Sequence, residues 1–439
     1  MKTILLALAA LAPVVGQAQE AKTCIAGLPA ETRCYTGQDA RGAYYWIAIP
    51  KQWNGALVVH SHGGPSMKAP APDDSASDLK RFAVTVAEGF AWAGSSYHHA
   101  GYGVRDAAAD TDRVRAIFWN RFGRPRITLL HGQSWGANVA AKAAELHGRD
   151  SGGRLVYDGM LLTSGVLAGG SRSYDMRVDL RAVYQYYCNN LPAPGEPAYP
   201  LWQGLDAATP LPAREVETRL NQCTGINLAA AQRSAAQQSA LRNILAVTRL
   251  PERTLGSHLN WATTTFRDLV VRQLKGANPF TNIGVLYSGS DNDAALNQGV
   301  ARFAASAQGV HELAFDSDLS GKLEIPTISI HAAGDPTVFV EGQSVFAQTV
   351  ADAGASNLLV QAFTTEQEHS KLATPQYAAV LRALTDWIDK ARRPSPATLA
   401  ASCEEARAQY GERCYFDAGY RAAPWDTRVY PRTRPSISP

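Results

Sequence analysis

Short apolar runs recur along the chain: ALVVHSH (56–62), FAWAGSSY (90–97), ITLLHG (127–132), GMLLTSG (159–165), TISIHAAG (327–334) and LLVQAF (358–363). They are mostly unbroken rather than alternating, as strands covered on both faces are. YYWIAI (44–49) precedes them. Stretches with helical spacing lie between: 76–89, 104–123, 135–148, 341–354 and 374–393. In the second, Val114, Ile117, Phe118 and Phe122 fall on one stripe. Strand and helix in alternation predict an α/β fold, a mostly parallel central sheet flanked by helices.

The alternation stops between about Gly170 and Lys322. That interval is rich in Ala, Gln, Arg and Tyr, as in NLAAAQRSAAQQSALRNILAVTRL (227–250). It reads as a mainly helical cap inserted over the sheet. The looser NIGVLYSGSDNDAALNQG follows inside it. After RRPSPA (392–397) comes a tail with two cysteines and several aromatics. The predicted organisation is a leader at 1–18, a core at 19–170 and 322–392, a cap at 171–321 and a disulfide-stapled tail at 393–439. The 439 residues suffice for such a domain with an insertion.

The leader changes how the cysteines are read. Lys2, an apolar run and Gly16-Gln17-Ala18 have the form of a cleaved secretory signal, too short to span a bilayer. The expected location is periplasmic or extracellular, with no integral membrane segment after cleavage. Cys24, Cys34, Cys188, Cys223, Cys403 and Cys414 then fall into three sequence-local pairs, 24–34, 188–223 and 403–414, expected as disulfides. No C-x-x-C or H-E-x-x-H spacing occurs, so neither metal nor cofactor is assigned. Net charge is +3 without a basic run, which argues against nucleic acid.

The chemistry starts at Gly132-Gln133-Ser134-Trp135-Gly136, a G-x-S-x-G between a predicted strand and helix. Such a turn strains the serine backbone and lifts its hydroxyl above the carboxyl edge of the sheet. A serine nucleophile needs a base, and the base an orienting carboxylate. Asp335 follows the strand TISIHAAG, and His369 follows LLVQAF. Both stand at the same edge as Ser134. Asp316 and Asp318 precede their strand, His331 lies within it, and Glu366 and Glu368 flank His369 as alternative acids. His62-Gly63-Gly64-Pro65 follows ALVVHSH. The N–H of Trp135 with that of Gly63 or Gly64 would form an oxyanion hole. His98-His99 follow a strand end and read as loop support or pocket lining. SDND (290–293) reads as surface. Tyr184, Tyr186 and Tyr187 read as core, with stacking on a substrate as the alternative.

At these residues the chain resembles the α/β-hydrolase superfamily, over about 40–170 and 322–392. The resemblance implies Ser134, Asp335 and His369 as nucleophile, acid and base, and Gly63, Gly64 and Trp135 as oxyanion donors. H-G-G-P with S-W-G also looks like proline iminopeptidases, although Ser66 and Gln133 depart from their pattern. The expected function is a secreted serine esterase acting on a small-molecule or oligomeric ester, aromatic or of medium size. The alternative is an amidase or peptidase, with Glu252 or Asp268 to hold an α-amino group.

Overall fold

A computed structural model describes residues 20–435. The predicted leader lies outside them. Its strands are β1 (Glu20–Lys22), β2 (Arg33–Gln38), β3 (Tyr44–Ile49), β4 (Ala56–Ser61), β5 (Ala91–Ser95), β6 (Ile127–Gln133), β7 (Gly159–Thr163), β8 (Thr327–Ala332), β9 (Leu359–Thr364) and β10 (Phe416–Asp417). They form one sheet in the order β1-β2-β3-β5-β4-β6-β7-β8-β9-β10. From β5 to β9 every pairing is parallel, and the pairings outside that block are antiparallel.

The unbroken apolar runs are explained by what covers them. All residues of β4, β6, β7 and β8 are buried. Side chains alternate between two faces along each strand. Leu57, Val59, Leu130, Met160 and Leu162 share a core with helices Val104–Phe122 and Trp135–His147. Val58, Leu129, Leu161 and Ile328 face the other way, onto helix Thr374–Lys390. Burying one such side chain is worth roughly 1.5–3 kcal/mol. Two filled faces therefore make this block the rigid base on which the loops stand.

Some elements differ from what local pattern predicts. The spacing over 76–89 predicts one helix; the chain forms Asp74–Arg81 and Ala83–Ala87 instead. Phe82 sits between them outside helical geometry (φ −104°, ψ 30°). Its ring packs on His131 and Tyr377, so tertiary contact overrides the local period. In the region 171–321, helices Asp175–Cys188, Ala213–Thr224 and Ala235–Thr248 build a separate apolar core with Leu180, Val183, Leu220 and Ile244. Two π-helical turns follow, Trp261–Thr265 and Asp268–Gln273.

The tail does more than pack on the main body. Helix Pro396–Tyr410 lies along Thr374–Lys390, and β10 extends the sheet beside β9. The chain then crosses to the helical region. There the buried Arg432 places Nη2 2.6 Å from Asp179, and Tyr430 donates its hydroxyl to the Val247 carbonyl at 2.9 Å. Disulfides join Cys24 to Cys34, Cys188 to Cys223 and Cys403 to Cys414. The 188–223 bridge closes the longest loop, with a separation of 35 residues. Replacing Cys188 and Cys223 with serine is expected to cost about 2–4 kcal/mol of stability. Thermal melts of this variant against wild type, with and without reductant, measure it.

Candidate active site

Ser134 joins β6 to helix Trp135–His147 with φ 59° and ψ −124°, a region costly for any residue but glycine. The flanking glycines make that turn sterically possible. A Cβ on Gly132 would lie 2.1 Å from the Gly136 carbonyl oxygen. A Cβ on Gly136 would lie 2.2 Å from the Ser61 oxygen at the end of β4. The helix thus starts in contact with the sheet. The turn is tied down on both sides, because Ser134 N–H donates to Thr163 O at 2.9 Å and Val166 N–H donates to Ser134 O at 3.1 Å. Ser134 keeps its side chain partly accessible.

Two loops from distant segments meet this hydroxyl. His369 Nε2 lies 2.8 Å from Ser134 Oγ, and His369 Nδ1 lies 2.7 Å from Asp335 Oδ2. Asp335 is buried at the end of β8 and fully engaged. Its Oδ1 accepts from Thr337 N–H at 2.9 Å and Val338 N–H at 3.0 Å. Burial alone would raise its pKa. Hydrogen bonds from His331 and His369 outweigh burial and hold the carboxyl well below the usual carboxylate range. The group is a stable anion that accepts from Nδ1, which leaves the Nε2 lone pair facing the serine.

The His369 loop is pinned to the elbow itself. Gln133 donates to Ser370 Oγ, and Arg81 donates to the Ser370 carbonyl and, at 3.4 Å, to Gln133 Oε1. Gln133 is one of the two residues at which the chain departs from the iminopeptidase pattern, and this contact gives it a local role.

On the other side stands the loop after β4. A Cβ on Gly63 would lie 2.5 Å from Gln133 Oε1, so only glycine lets this loop close on the elbow. Gly64, with φ 73°, has open space around its Cα. Trp135 opens its helix, so its N–H has no intrahelical acceptor. His62 anchors the loop. Its Nδ1 lies 2.5 Å from the buried Asp78, and Tyr97 donates its hydroxyl to the His62 carbonyl at 3.0 Å. Burial lowers the His62 pKa, but the hydrogen bond and charge of Asp78 prevail and raise it. Burial would raise Asp78, yet His60 and His62 hold it far below the carboxylate range.

The other sequence candidates have different employment. His331 accepts at Nδ1 from Gln343 Nε2 (2.9 Å), so its Nε2 carries the proton, 2.9 Å from Val338 O and 3.5 Å from Asp335. It supports Asp335 from the side of the sheet. Asp316 accepts from the N–H groups of Val104 and Arg105 at 3.0 and 3.3 Å, supplying the cap that Gly103 cannot give its helix. Asp318 accepts from Ser171 N–H. Glu366 accepts from Ala373 N–H, and Glu368 is exposed beside Arg253. Glu252 pairs with Arg233, while Asp268 pairs with Arg272 and caps Tyr102 N–H. Tyr184 is buried with its hydroxyl on Asn190, in the core of the helical region. In the SDND stretch, Asp291 accepts from Arg242 and Asn243 of helix Ala235–Thr248, and Asp293 closes a local turn by accepting from Gly289 and Ser290 N–H.

Sequence pattern gives no sign of Arg177. It is 4% exposed, and its Nε has no partner. Its Nη2 donates to the carbonyl of Thr337, in the Asp335 loop, at 3.3 Å. Its guanidinium lies 4.6 Å from the ring centroid of Trp261. Burial lowers its pKa to about 10. A cavity of about 10 Å³ adjoins it, room for one water. A separate cavity of about 250 Å³ lined by Tyr157, Met160 and Ile325 opens where β7 and β8 begin, at the edge opposite Ser134.

The parallel block, the antiparallel edge before it and the serine elbow after β6 together make this an α/β-hydrolase fold. No family model matches the chain, and no curated protein matches it in sequence. Solved structures do align. Feruloyl esterase B from Aspergillus oryzae does so at 13% identity over 83% of this chain and 82% of its own, with TM-score 0.45. Candida antarctica lipase A in its closed state aligns at 12% identity over 91% and 92%, with TM-score 0.45. The rice cell wall degrading esterase LipA from Xanthomonas oryzae aligns at 14% identity over 81% and 88%, with TM-score 0.36.

The His62–Asp78 pair predicts a pH-dependent contribution to stability. His62, raised in the folded chain, contributes fully below the ordinary histidine pKa and loses its share as pH climbs through the raised value. Asp78, held low, contributes above the ordinary carboxylate pKa and loses its share on acidification. Asp78→Asn is therefore expected to destabilise most between roughly pH 4 and 6.5, with the gap to wild type narrowing as pH climbs through the raised His62 value. Urea unfolding of both proteins across that range measures the gap.

Proposed function

We propose that the chain is an exported serine hydrolase that cleaves carboxylic esters through an acyl-enzyme. One observation carries this reading: the unbroken chain of hydrogen bonds from Ser134 Oγ through His369 to Asp335, at 2.8 and 2.7 Å. In the proposed reaction Ser134 Oγ attacks the ester carbonyl as His369 Nε2 takes its proton. The oxyanion is met by the N–H of Trp135 and of Gly63 or Gly64. His369 returns the proton to the leaving alcohol, then activates water to release the acid. Asp335 holds the ring and its growing charge throughout.

Two observations favour an ester over an N-terminal peptide. Glu252 and Asp268, the carboxylates that could hold an α-amino group, are both committed to arginines. The buried charge near the Asp335 loop is the cation Arg177, which repels an ammonium. The aromatic preference draws support from a cluster over the elbow. Trp135 touches Tyr102 edge-on (5.6 Å), and Tyr102 reaches Tyr174 (5.9 Å) and the half-buried Trp261 (6.4 Å). Trp261 stands on a π-helical turn, a local irregularity that re-aims a side chain. Export draws support from three disulfides, which persist in oxidising compartments. Among the described residues no helix is long and apolar enough to cross a membrane.

Nitrophenyl butyrate should be hydrolysed, and a fluorophosphonate should label Ser134. Ser134→Ala should lower kcat by on the order of 10⁶; unchanged turnover removes the assignment. Cleavage of proline anilide with sparing of the esters would transfer it to a peptidase. Trp261→Ala should raise KM for an aromatic ester by up to about tenfold, while leaving that for a butyrate ester nearly unchanged. Steady-state kinetics on the paired substrates separate these outcomes.

A further inference from the structure

After β5 the chain carries His98 and His99, and the first turn of helix Val104–Phe122 brings Asp106 back over them. One nitrogen of each ring and one Asp106 oxygen lie within 4.8 Å of one another, and all three side chains are partly exposed. His99 Nε2 is 3.3 Å from Asp106 Oδ2. Two ligands on a tetrahedral ion, with bonds of about 2.0–2.1 Å, stand about that far apart.

The protonation of the rings follows from their partners. His99 Nδ1 is 2.8 Å from the Ala100 carbonyl oxygen, which can only accept, so Nδ1 carries a proton. In neutral His99 the Nε2 lone pair then faces the Asp106 carboxylate, acceptor against acceptor. A cation between them removes that conflict. His98 is prepared the same way. Its Nδ1 is 2.8 Å from the buried Asp110 carboxylate, which also accepts the His98 backbone N–H. Its Nε2 is 2.9 Å from Arg41 Nη2, and a guanidinium only donates, so Nε2 is an acceptor too. Metal-binding histidines are held in this manner, with the second ring nitrogen on a carboxylate or carbonyl.

Arg41 marks where a cation sits. Its guanidinium spans from His98 Nε2 to within 3.8 Å of Asp106 Oδ1, on a side chain 48% exposed. A divalent ion could displace it into solvent.

We propose that His98, His99 and Asp106 bind a borderline divalent transition-metal ion, zinc or copper, with water completing the shell. Two nitrogens and one carboxylate favour such ions over calcium or magnesium. The ion would stiffen the oxyanion side of the cleft. Gly101 N–H in the same loop donates to Ser66 O at 2.7 Å, and Tyr97 holds His62. The site stands independently of the hydrolase reading, since none of its ligands belongs to the Ser134 constellation.

The test is calorimetric titration of the chelator-treated protein, free of any polyhistidine tag, with zinc chloride alone. One ion per chain is expected, with magnesium chloride giving no binding. His99→Ala should abolish the uptake, and Asp106→Asn should weaken it by at least about tenfold. Arg41→Ala should tighten it, and a gain of affinity cannot come from misfolding. Absence of zinc uptake, uptake unchanged by His99→Ala, or weaker uptake in Arg41→Ala overturns the proposal. In the first case a proton alone resolves the His99–Asp106 contact.

Discussion

The site depends on one close approach, that of the Gly136 backbone to the carbonyls of Ser61 and His62 at the end of β4. A single methyl group at position 136 would overlap both oxygens. Because it is absent, helix Trp135–His147 can start directly on the sheet, and Ser134 is forced into its strained turn. That strain, of order 1–3 kcal/mol, is held by the buried parallel block beneath it. Position 132 meets the same limit from the strand side, against the Gly136 carbonyl. The two glycines are one steric condition stated twice. It also fixes where Gly63 must be, since Gly63 packs on the residue between Gly132 and Ser134.

From that fixed point the remaining parts are aligned by polar pins rather than by apolar packing. Arg81 and Gln133 hold the His369 loop, and Asp78 holds the loop of Gly63 through His62. Arg81 and Asp78 lie on one short helix, Asp74–Arg81, one turn apart. That helix therefore sets the distance between the two loops that flank Ser134. The break at Phe82 has a purpose in this light. Phe82 drops into the core against His131 and Tyr377, which locks the C-terminal end of the helix and with it Arg81. A continuous helix over 76–89 would carry Phe82 along its own stripe and leave that anchor unset.

What local pattern reveals and what it hides follow from the same physics. β4 and β6 to β8 are readable because burial on both faces demands an apolar residue at every position. β2, RCYTGQ, is not readable, because it pairs at the rim of the sheet and most of its residues stay partly exposed. β10 is two residues long and exists through its pairing with β9. Ser134, Asp335 and His369 are readable because each is tied to a strand end. Their supports are not. Arg81 and Ser370 are 289 residues apart, and Arg432 and Asp179 are 253 apart, so no short window contains both partners. Asp316 looks misplaced for chemistry until its role at the first turn of helix Val104–Phe122 is seen. The π-helical turns at 261–273 are hidden as well, since their period differs little from that of an α-helix over so few residues.

The helical region bears on the site through charge as well as shape. Arg177 enters from helix Asp175–Cys188 with one carbonyl bond and the rings of Trp261 and Tyr174 as its partners, and a buried guanidinium so thinly compensated is costly. Asp335, an anion that accepts from Thr337, Val338 and His369, favours the charged form of Arg177. The charge of Asp335 is itself held by His331 and His369. A helix that only covered the cleft would gain by placing leucine or methionine there. An arginine at that position instead ties the region 171–321 to the Asp335 loop through the Thr337 carbonyl. The tail crosses to that same helix, where Arg432 and Arg434 reach Asp179 and Asp175. The last described turns of the chain thus hold the helix that carries Arg177 against the Asp335 loop, and they do so by ion pairs to Asp179 and Asp175.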